Sequence, residues 1–280
     1  MRHVVTALAW TGSACLALCI ASMSWAASIV VPLPAEGTID GQAGVLRNAA
    51  RSYQQFIDSS QLAGISSPVL LTGMQFRLAI GTNWQSLGAT GTSWPSVPIS
   101  FAQYDVQLSQ ATEPLITNGQ YLSLVPTFAS YQASDVTTVR SGAMNIPAGA
   151  FLADGGSTGT HSFGYTIDFT TPYAYTPGTD LVLMLRYTGY TGGALPAAFA
   201  SSDPGVAHVA DSIVSTTGGA TAVTPTAFTG PAYVQFTYVP EPQMWSLVCF
   251  LALVWWSGRN RTVHCPTAHP LPSALRRLHP

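Results

Sequence analysis

The sequence has very little charge: it contains no lysine, and Asp, Glu, Lys and Arg together make up 8% of it. An average soluble domain contains about 25% of these residues. Between positions 27 and 239, five arginines and eleven acidic residues give a net charge of −6 with histidine neutral. Such a surface repels phosphate groups and has no basic cluster, so nucleic acid is not an expected partner.

Cysteine is missing from the same stretch. The four cysteines of the chain, Cys15, Cys19, Cys249 and Cys265, lie toward its two ends. A domain at 27–239 therefore has no disulfide, no thiolate ligand for a metal and no thiol nucleophile. Its length suits one β-sandwich or barrel, stabilised by packing and by backbone hydrogen bonds.

The first 26 residues have the order of a secretory signal peptide. Met1-Arg2-His3 is a short basic start, and Val4 to Ile20 is almost entirely apolar or small. Ser24-Trp25-Ala26 places small residues at positions −3 and −1 of a cleavage site, so we expect signal peptidase to cut after Ala26. An N-terminal anchor that is not cleaved is the alternative.

Apolar and polar residues alternate through much of the central stretch. Because successive side chains of a strand point to opposite faces, this period predicts strands with one buried face. The alternating segments are Gly73–Ala79, Gln103–Ser109, Ser162–Thr170 and Tyr233–Val239. Leu181–Leu185 is apolar throughout, which indicates a central strand covered on both faces. Pro177-Gly178 predicts a type II turn just before it.

One segment, residues 44–61, fits two interpretations. Val45, Ala49, Tyr53 and Ile57 recur at the i, i+4 spacing of an amphipathic helix. Tyr53, Gln55 and Ile57 also alternate, and we favour a strand over Ser52–Ile57, because an all-β context overrides weak local preference. Many short strands separated by turn residues predict an all-β fold, an antiparallel β-sandwich of jelly-roll-like form.

The C-terminal part combines prolines, an apolar run and arginines in that order. Two prolines in Pro240-Glu241-Pro242 favour an extended, accessible peptide and exclude a regular helix or an inner strand. Residues 244–258 are apolar or small, and Arg259 and Arg261 follow. We predict a short transmembrane helix over 244–258, with the arginines and a disordered tail, 262–280, in the cytoplasm. A buried helix of the central domain is the alternative.

In content, order and position, segment 240–261 resembles the PEP-CTERM sorting signal of exported bacterial proteins. The resemblance implies that exosortase, a membrane protease, recognises Pro240, Glu241 and Pro242 and cuts near them. It also implies a Gram-negative host that makes exopolysaccharide. The domain at 27–239, above all 163–185, more loosely resembles the β-rich exported regions seen with this signal, to which no activity is assigned.

No pattern in 27–239 predicts an enzyme. His161 and His208 are the only histidines there, and neither has a second histidine at metal-ligand spacing, so we favour an ordinary loop or surface role for both. No G-x-S-x-G motif occurs. Asp105 and Asp168 fall within predicted strands on polar faces, where a solvated strand face explains them better than a glycosidase pair. We expect no catalytic residue, no metal and no cofactor.

Trp84 and Trp94 are the only tryptophans between positions 27 and 239. An exposed aromatic face can stack on a sugar ring, which makes these two residues the candidate glycan contacts. We favour the interpretation that both cap the end of the sandwich core, since large aromatic residues are mostly buried.

These patterns predict a protein that is exported and sorted. We expect a non-catalytic surface or extracellular-matrix protein, anchored in the inner membrane by 244–258 with its domain in the periplasm. Signal peptidase and exosortase are the expected partners, and the cell surface or the exterior is the destination. The alternatives are a carbohydrate-binding module that contacts exopolysaccharide through Trp84 and Trp94, and a secreted hydrolase.

Overall fold

A computed structural model describes residues 26–32, 44–112, 127–201, 210–215 and 218–241. The chain divides into two units, and one of them, Met23–Glu241, contains all of these residues. The other unit comprises Met1–Ser22 and Pro242–Pro280 and lies outside the described residues. The predicted signal peptide up to residue 25, the membrane segment 244–258 and the tail 262–280 therefore stay predictions.

Strands make up 44% of the described residues, and no α-helix occurs among them. The strand pairs are antiparallel, so the predicted all-β, antiparallel fold is confirmed. In chain order the strands are β1 Ala27–Val31, β2 Arg51–Ile57, β3 Val69–Phe76, β4 Ser93–Trp94, β5 Ile99–Phe101, β6 Tyr104–Gln110, β7 Thr137–Arg140, β8 Met144–Ile146, β9 Phe151–Leu152, β10 Ile167–Tyr175, β11 Leu181–Tyr187, β12 Tyr190–Thr191, β13 Ala210–Ser215, β14 Ala227–Thr229 and β15 Val234–Pro240.

Two sheets form the main layers of the described unit. The first has the strand order β1-β15-β3-β10, and the second has the order β14-β13-β2-β11-β6-β7. Leu71 and Phe236 of the first sheet share one buried core with Leu183 and Leu185 of the second. The two sheets therefore pack face to face in a sandwich-like arrangement. Two smaller sheets, β12-β5-β8 and β4-β9, complete the described strands.

The predicted alternation is confirmed in β6 and β15. Their buried side chains lie on one face of each strand, at Tyr104, Val106 and Leu108 in β6 and at Val234 and Phe236 in β15. The segment Gly73–Ala79 is displaced, because β3 begins at Val69 and ends at Phe76. Its neighbours set these bounds, since β3 pairs with both β10 and β15.

The predicted strand Ser162–Thr170 is displaced further. Strand β10 covers Ile167–Tyr175, and Phe163 forms only an isolated bridge with Arg77. Regular pairing of β10 with β3 begins at Ile167, opposite Met74, and the chain just before it is packed closely at Gly164. Its N–H donates to the carbonyl of Phe76 at 2.9 Å, and a Cβ there would lie 2.2 Å from the Phe151 ring.

Leu181–Leu185 forms a central strand, as predicted. Strand β11 lies between β2 and β6, and every side chain from Leu181 to Leu185 is buried. Leu181, Leu183 and Leu185 join the main core. Val182 and Met184 point to the opposite face, where they join a smaller core with Phe56, Phe128 and Ala222. An unbroken apolar run is needed because both faces of the sheet are covered here.

Strand β2 settles the two interpretations of residues 44–61. It covers Arg51–Ile57, so the strand interpretation is confirmed and the helical one is wrong. Tertiary pairing overrides the helical spacing, because β2 provides the ladder for both β13 and β11. Two glutamines are buried in it: Nε2 of Gln54 donates to the carbonyl of Phe128, and Nε2 of Gln55 donates to that of Ala232.

The predicted turn at Pro177-Gly178 is also confirmed. Gly178 has a φ of 83°, the value that the third residue of a type II turn requires. The turn joins β10 of the first sheet to β11 of the second. A separate contact joins edge strands of the two sheets: the hydroxyl of Thr170 in β10 donates to the carbonyl of Val139 in β7 at 3.1 Å.

Candidate functional site

The candidate site is the place where both predicted processing positions meet. Strands β1 and β15 are antiparallel neighbours, with Ala27 directly opposite Tyr238. Strand β1 therefore starts at the end of the sheet where β15 finishes. The cleavage position after Ala26 therefore lies at the same end of the sheet as Pro240 and Glu241, although the two positions are at opposite ends of the domain in sequence. We call Ala26, Ala27, Tyr238, Pro240 and Glu241 the terminal corner.

Pro240 is the last residue of β15, opposite Val69 of β3, and the ladder with β1 has already ended at Tyr238, so the proline is accommodated at the end of the strand with a partner on one side only. The reason lies in the ladder. The N–H of Glu241 donates to the carbonyl of Pro68 at 3.2 Å. Because bonded and non-bonded pairs alternate in an antiparallel ladder, Pro240 and Val69 form a non-bonded pair, and no N–H is needed at Pro240.

The exposure of the terminal corner agrees with an accessible motif. Pro240 and Glu241 are exposed, and so is Ala26 directly before β1. Pro242, Arg259 and Arg261, the other predicted residues of the sorting signal, lie outside the described residues. In the part of the chain that the structure describes, no helix has the length and apolar character needed to cross a membrane.

Trp84 and Trp94 lie inside the core, with exposed fractions of 2% and 1%. The Trp94 indole N–H donates to the carbonyl of Leu195 at 2.8 Å. Its ring centroid lies 5.4–6.0 Å from three other aromatic rings, those of Phe151, Tyr190 and Phe199. The interpretation that the core buries both tryptophans is confirmed. As candidate glycan contacts they fail, because neither ring offers a face to a sugar.

The aromatic cluster continues into tyrosines that bond to the backbone. Tyr104 and Tyr187 stack with centroids 5.2 Å apart, and their hydroxyls donate to the carbonyls of Val45 and Gly44 respectively. Burial raises the pKa of both hydroxyls, and it raises the pKa of Tyr190 to about 12. These phenols stay protonated at neutral pH, and those of Tyr104 and Tyr187 hold the chain before β2 against the core.

His161 is buried, and both of its ring nitrogens have backbone partners. Nδ1 accepts the N–H of Gly155 at 2.8 Å, and Nε2 lies 2.9 Å from the carbonyl oxygen of Gly81. Because Nδ1 accepts, Nε2 must carry the proton and donate. The ring therefore joins two loops, and the ordinary loop role predicted for it is confirmed. His208 lies outside the described residues.

Five aspartates use their carboxylates to hold backbone N–H groups. The N–H groups lie 2.8–3.0 Å from the carboxylate oxygens. Asp58 accepts from Ser60, Asp105 from Gly142, Asp135 from Gln110, Asp154 from Ser162 and Asp180 from Ser59. The bond from Ser162 holds the pKa of Asp154 below its ordinary value of 3.8. These carboxylates hold loops and strand ends in place through hydrogen bonds.

The two aspartates predicted on solvated strand faces differ. Asp168 is exposed on β10, as predicted. Asp105 is half-buried, and its carboxylate accepts bonds from the hydroxyl of Ser141, the N–H of Gly142 and Nε2 of Gln103. Asp105 therefore also fixes the turn between β7 and β8 against β6.

Comparison of the chain with protein-family models gives no match, and comparison with curated proteins gives none either. Within the described ranges, no three His, Cys, Asp or Glu side chains are grouped so that they could hold a metal ion. Sequence patterns did not identify Ala27 and Tyr238 as neighbours. No local signal could have done so, because their contact joins the first strand of the domain to its last.

Proposed function

We propose that this protein is an exported, transiently membrane-anchored surface or extracellular-matrix protein of a bacterium that makes exopolysaccharide, and that exosortase sorts it. The position of the motif carries the proposal. Strand β15 ends at Pro240, and both Pro240 and Glu241 are exposed at the end of the sheet. Residues 244–258, the apolar run, and then Arg259 and Arg261 follow in sequence.

In this proposal the chain is exported by its signal peptide, which is cut after Ala26. Residues 244–258 then hold the precursor in the inner membrane as a helix, with tail 262–280 in the cytoplasm and the domain in the periplasm. Exosortase recognises Pro240, Glu241 and Pro242 and frees the domain, a β-sandwich of jelly-roll-like form, for the cell surface or the exterior. No cofactor is involved.

Several polar side chains are already bonded to backbone groups, and this supports a non-catalytic role. A general acid or base needs an atom that can reach a substrate proton. Both nitrogens of His161 bond to backbone groups, and the carboxylates of Asp58, Asp105, Asp135 and Asp154 hold backbone N–H groups. Such side chains contribute to the stability of loops in a domain that has no disulfide.

The two alternative functions gain no support from the described residues. A carbohydrate-binding module that used Trp84 and Trp94 would need exposed rings, and both rings are buried. A secreted hydrolase would need a pair of carboxylates across a cleft or a nucleophile beside a base. The aspartates that bind backbone N–H groups do not supply either arrangement, and neither does His161.

The test compares the full chain in two strains, one with exosortase and one from which exosortase has been deleted. We expect a membrane-free product that ends near residues 240–242 only in the first strain, and an intact membrane-bound precursor in the second. Mass spectrometry of both fractions measures the C-terminus. An identical C-terminus in the two strains, or an intact chain in the cytoplasm, contradicts the proposal.

A matched pair of variants tests the motif itself. Glu241→Ala removes the exposed carboxylate but keeps the backbone N–H that bonds to Pro68, so the fold should be unaffected. We expect this variant to accumulate as membrane-bound precursor. Asp168→Ala removes another exposed carboxylate of the same sheet and should be processed like the wild type. Equal processing of both variants rejects Glu241 as a recognition residue.

A further inference from the structure

The terminal corner places two sequence-distant chain ends at one point. Strand β1 runs away from the corner and β15 runs toward it, and their ladder joins Ala27 to Tyr238. The residue before β1, Ala26, and the residue after β15, Glu241, therefore leave the same end of the same sheet on adjacent strands. Neighbouring strands are about 4.8 Å apart. Ala26, Ala27, Pro240 and Glu241 are all exposed.

We propose that the terminal corner is the surface that this domain turns toward the membrane, because the signal peptide, until it is cut, and then residues 244–258 attach to the domain at this one point. The inference rests on the proposed function, which supplies those two segments. The partner of this surface is the lipid bilayer. Either segment alone holds the same corner at the bilayer, so release of the domain requires both cuts.

Charge does not provide another way to orient the domain. Basic clusters bind anionic lipid surfaces at about 1 kcal/mol per residue near the membrane. Positions 27–239 contain five arginines and eleven acidic residues, and no lysine. A surface with this net negative charge is repelled by anionic lipid. The points of attachment therefore decide which end of the domain faces the bilayer.

The opposite end of the sheet can be identified from β3. This strand runs from Val69, opposite Pro240, to Phe76, opposite Val234. Seven steps along a strand cover ~23 Å. The chain continues to Leu78, which bridges Phe199, and the Trp94 ring lies 5.4 Å from the Phe199 ring.

Leu195 marks this distal end. Its carbonyl accepts the indole N–H of Trp94, and its side chain is 56% exposed. In the proposed orientation, Leu195 and strand β4, which carries Trp94, lie at the end of the domain away from the membrane. A label at Leu195 should therefore lie farther from the lipid than a label on β1 by about the length of the sheet.

The experiment measures energy transfer from labelled full-length precursor to an acceptor dye in lipid headgroups. Cys15, Cys19, Cys249 and Cys265 are changed to alanine, and a single cysteine is introduced by Ser28→Cys or Leu195→Cys. The precursor is purified from the strain without exosortase and reconstituted into phosphatidylcholine vesicles. Ser28 is exposed on β1 and distant in sequence from residues 244–258. We expect transfer at least several-fold more efficient from position 28 than from position 195.

A third label separates the possible outcomes. Glu241→Cys lies next to the anchor in sequence and should give strong transfer in any orientation of the domain. Strong transfer at 241 with equal or reversed transfer at 28 and 195 overturns the inference and leaves the anchor intact. Precursor that does not float with the vesicles shows no transfer at any position. That result rejects the proposed function, and the inference with it.

Discussion

The hydroxyl of Tyr173 donates a hydrogen bond to Oδ2 of Asp135 over 2.7 Å. Tyr173 belongs to β10 of the four-stranded sheet, and the carboxylate of Asp135 also accepts the N–H of Gln110 at the end of β6. The contact therefore joins an edge of one sheet to the other. Burial, followed by this bond to Asp135, raises the pKa of Tyr173, so the phenol remains a donor.

We predict that Tyr173→Phe lowers the free energy of unfolding by about 1.5–3 kcal/mol, the range for a bond to a charged group. Tyr175→Phe is the matched control on the same strand. It removes a bond to an uncharged acceptor, the carbonyl of Thr179, and should cost about 0.5–1.5 kcal/mol. Urea denaturation of the purified mature protein measures both. An equal loss of unfolding free energy in the two variants would contradict a larger contribution from the bond between Tyr173 and Asp135.

Gly81 and Gly178 both have positive φ, 55° and 83°, but their surroundings differ. A Cβ on Gly81 would lie 2.3 Å from the carbonyl oxygen of Ser157, whereas a Cβ on Gly178 would meet no atom within 4 Å. Gly178→Ala should cost only the left-handed penalty of about 1–2 kcal/mol. Gly81→Ala should add an overpacking cost of about 1–3 kcal/mol. Thermal unfolding compares the two variants, and a Gly81→Ala protein as stable as Gly178→Ala contradicts the packing argument.

Asp154 gives a prediction about acid stability. Its pKa is lowered in the fold, chiefly by the N–H of Ser162, so its carboxylate stabilises the native state above the ordinary pKa of 3.8. That contribution is lost as the pH falls through the lower folded value. Asp154→Asn keeps an acceptor oxygen but does not titrate, so unfolding should depend less steeply on pH below about 4. Asp168→Asn, at an exposed position, is the control. Identical acid-unfolding curves for wild type and Asp154→Asn would refute the assignment.

The burial of Trp84 and Trp94 predicts how the mature protein fluoresces. After both proposed cuts these are its only tryptophans. Because their exposed fractions are 2% and 1%, emission should be blue-shifted and resistant to iodide. Addition of the exopolysaccharide of the host should leave the spectrum unchanged. Quenching by iodide in the folded protein, or a saturable shift with the polysaccharide, would contradict the buried placement.

Local alternation predicted some elements well, for identifiable reasons. In β6, the spacing of Tyr104, Val106 and Leu108 follows directly from the two-residue repeat of a strand. Gly178 was predicted in its turn because few other residues tolerate a positive φ. Both signals are contained in a few consecutive residues. Neither depends on what the rest of the chain does.

Other features depended on contacts that the sequence does not display. The spacing of Val45, Ala49 and Tyr53 also fitted a helix, and only the neighbours of β2 on both sides fixed a strand. Asp105 had the pattern of a solvated residue, but the turn at Gly142 lies close enough to donate to it. The start of β10 at Ile167 depended on its pairing with Met74 of β3.

The sequence by itself determined the all-β class, the strand built from Leu181–Leu185 and the lack of a disulfide within 27–239, because each follows from residue identity or short-range periodicity. Only the tertiary structure decided that the core encloses Trp94 and that Ala27 lies opposite Tyr238. Burial and strand pairing join residues far apart in the chain. These contacts depend on the packing of the whole sandwich, so they cannot be predicted from any single segment of the sequence.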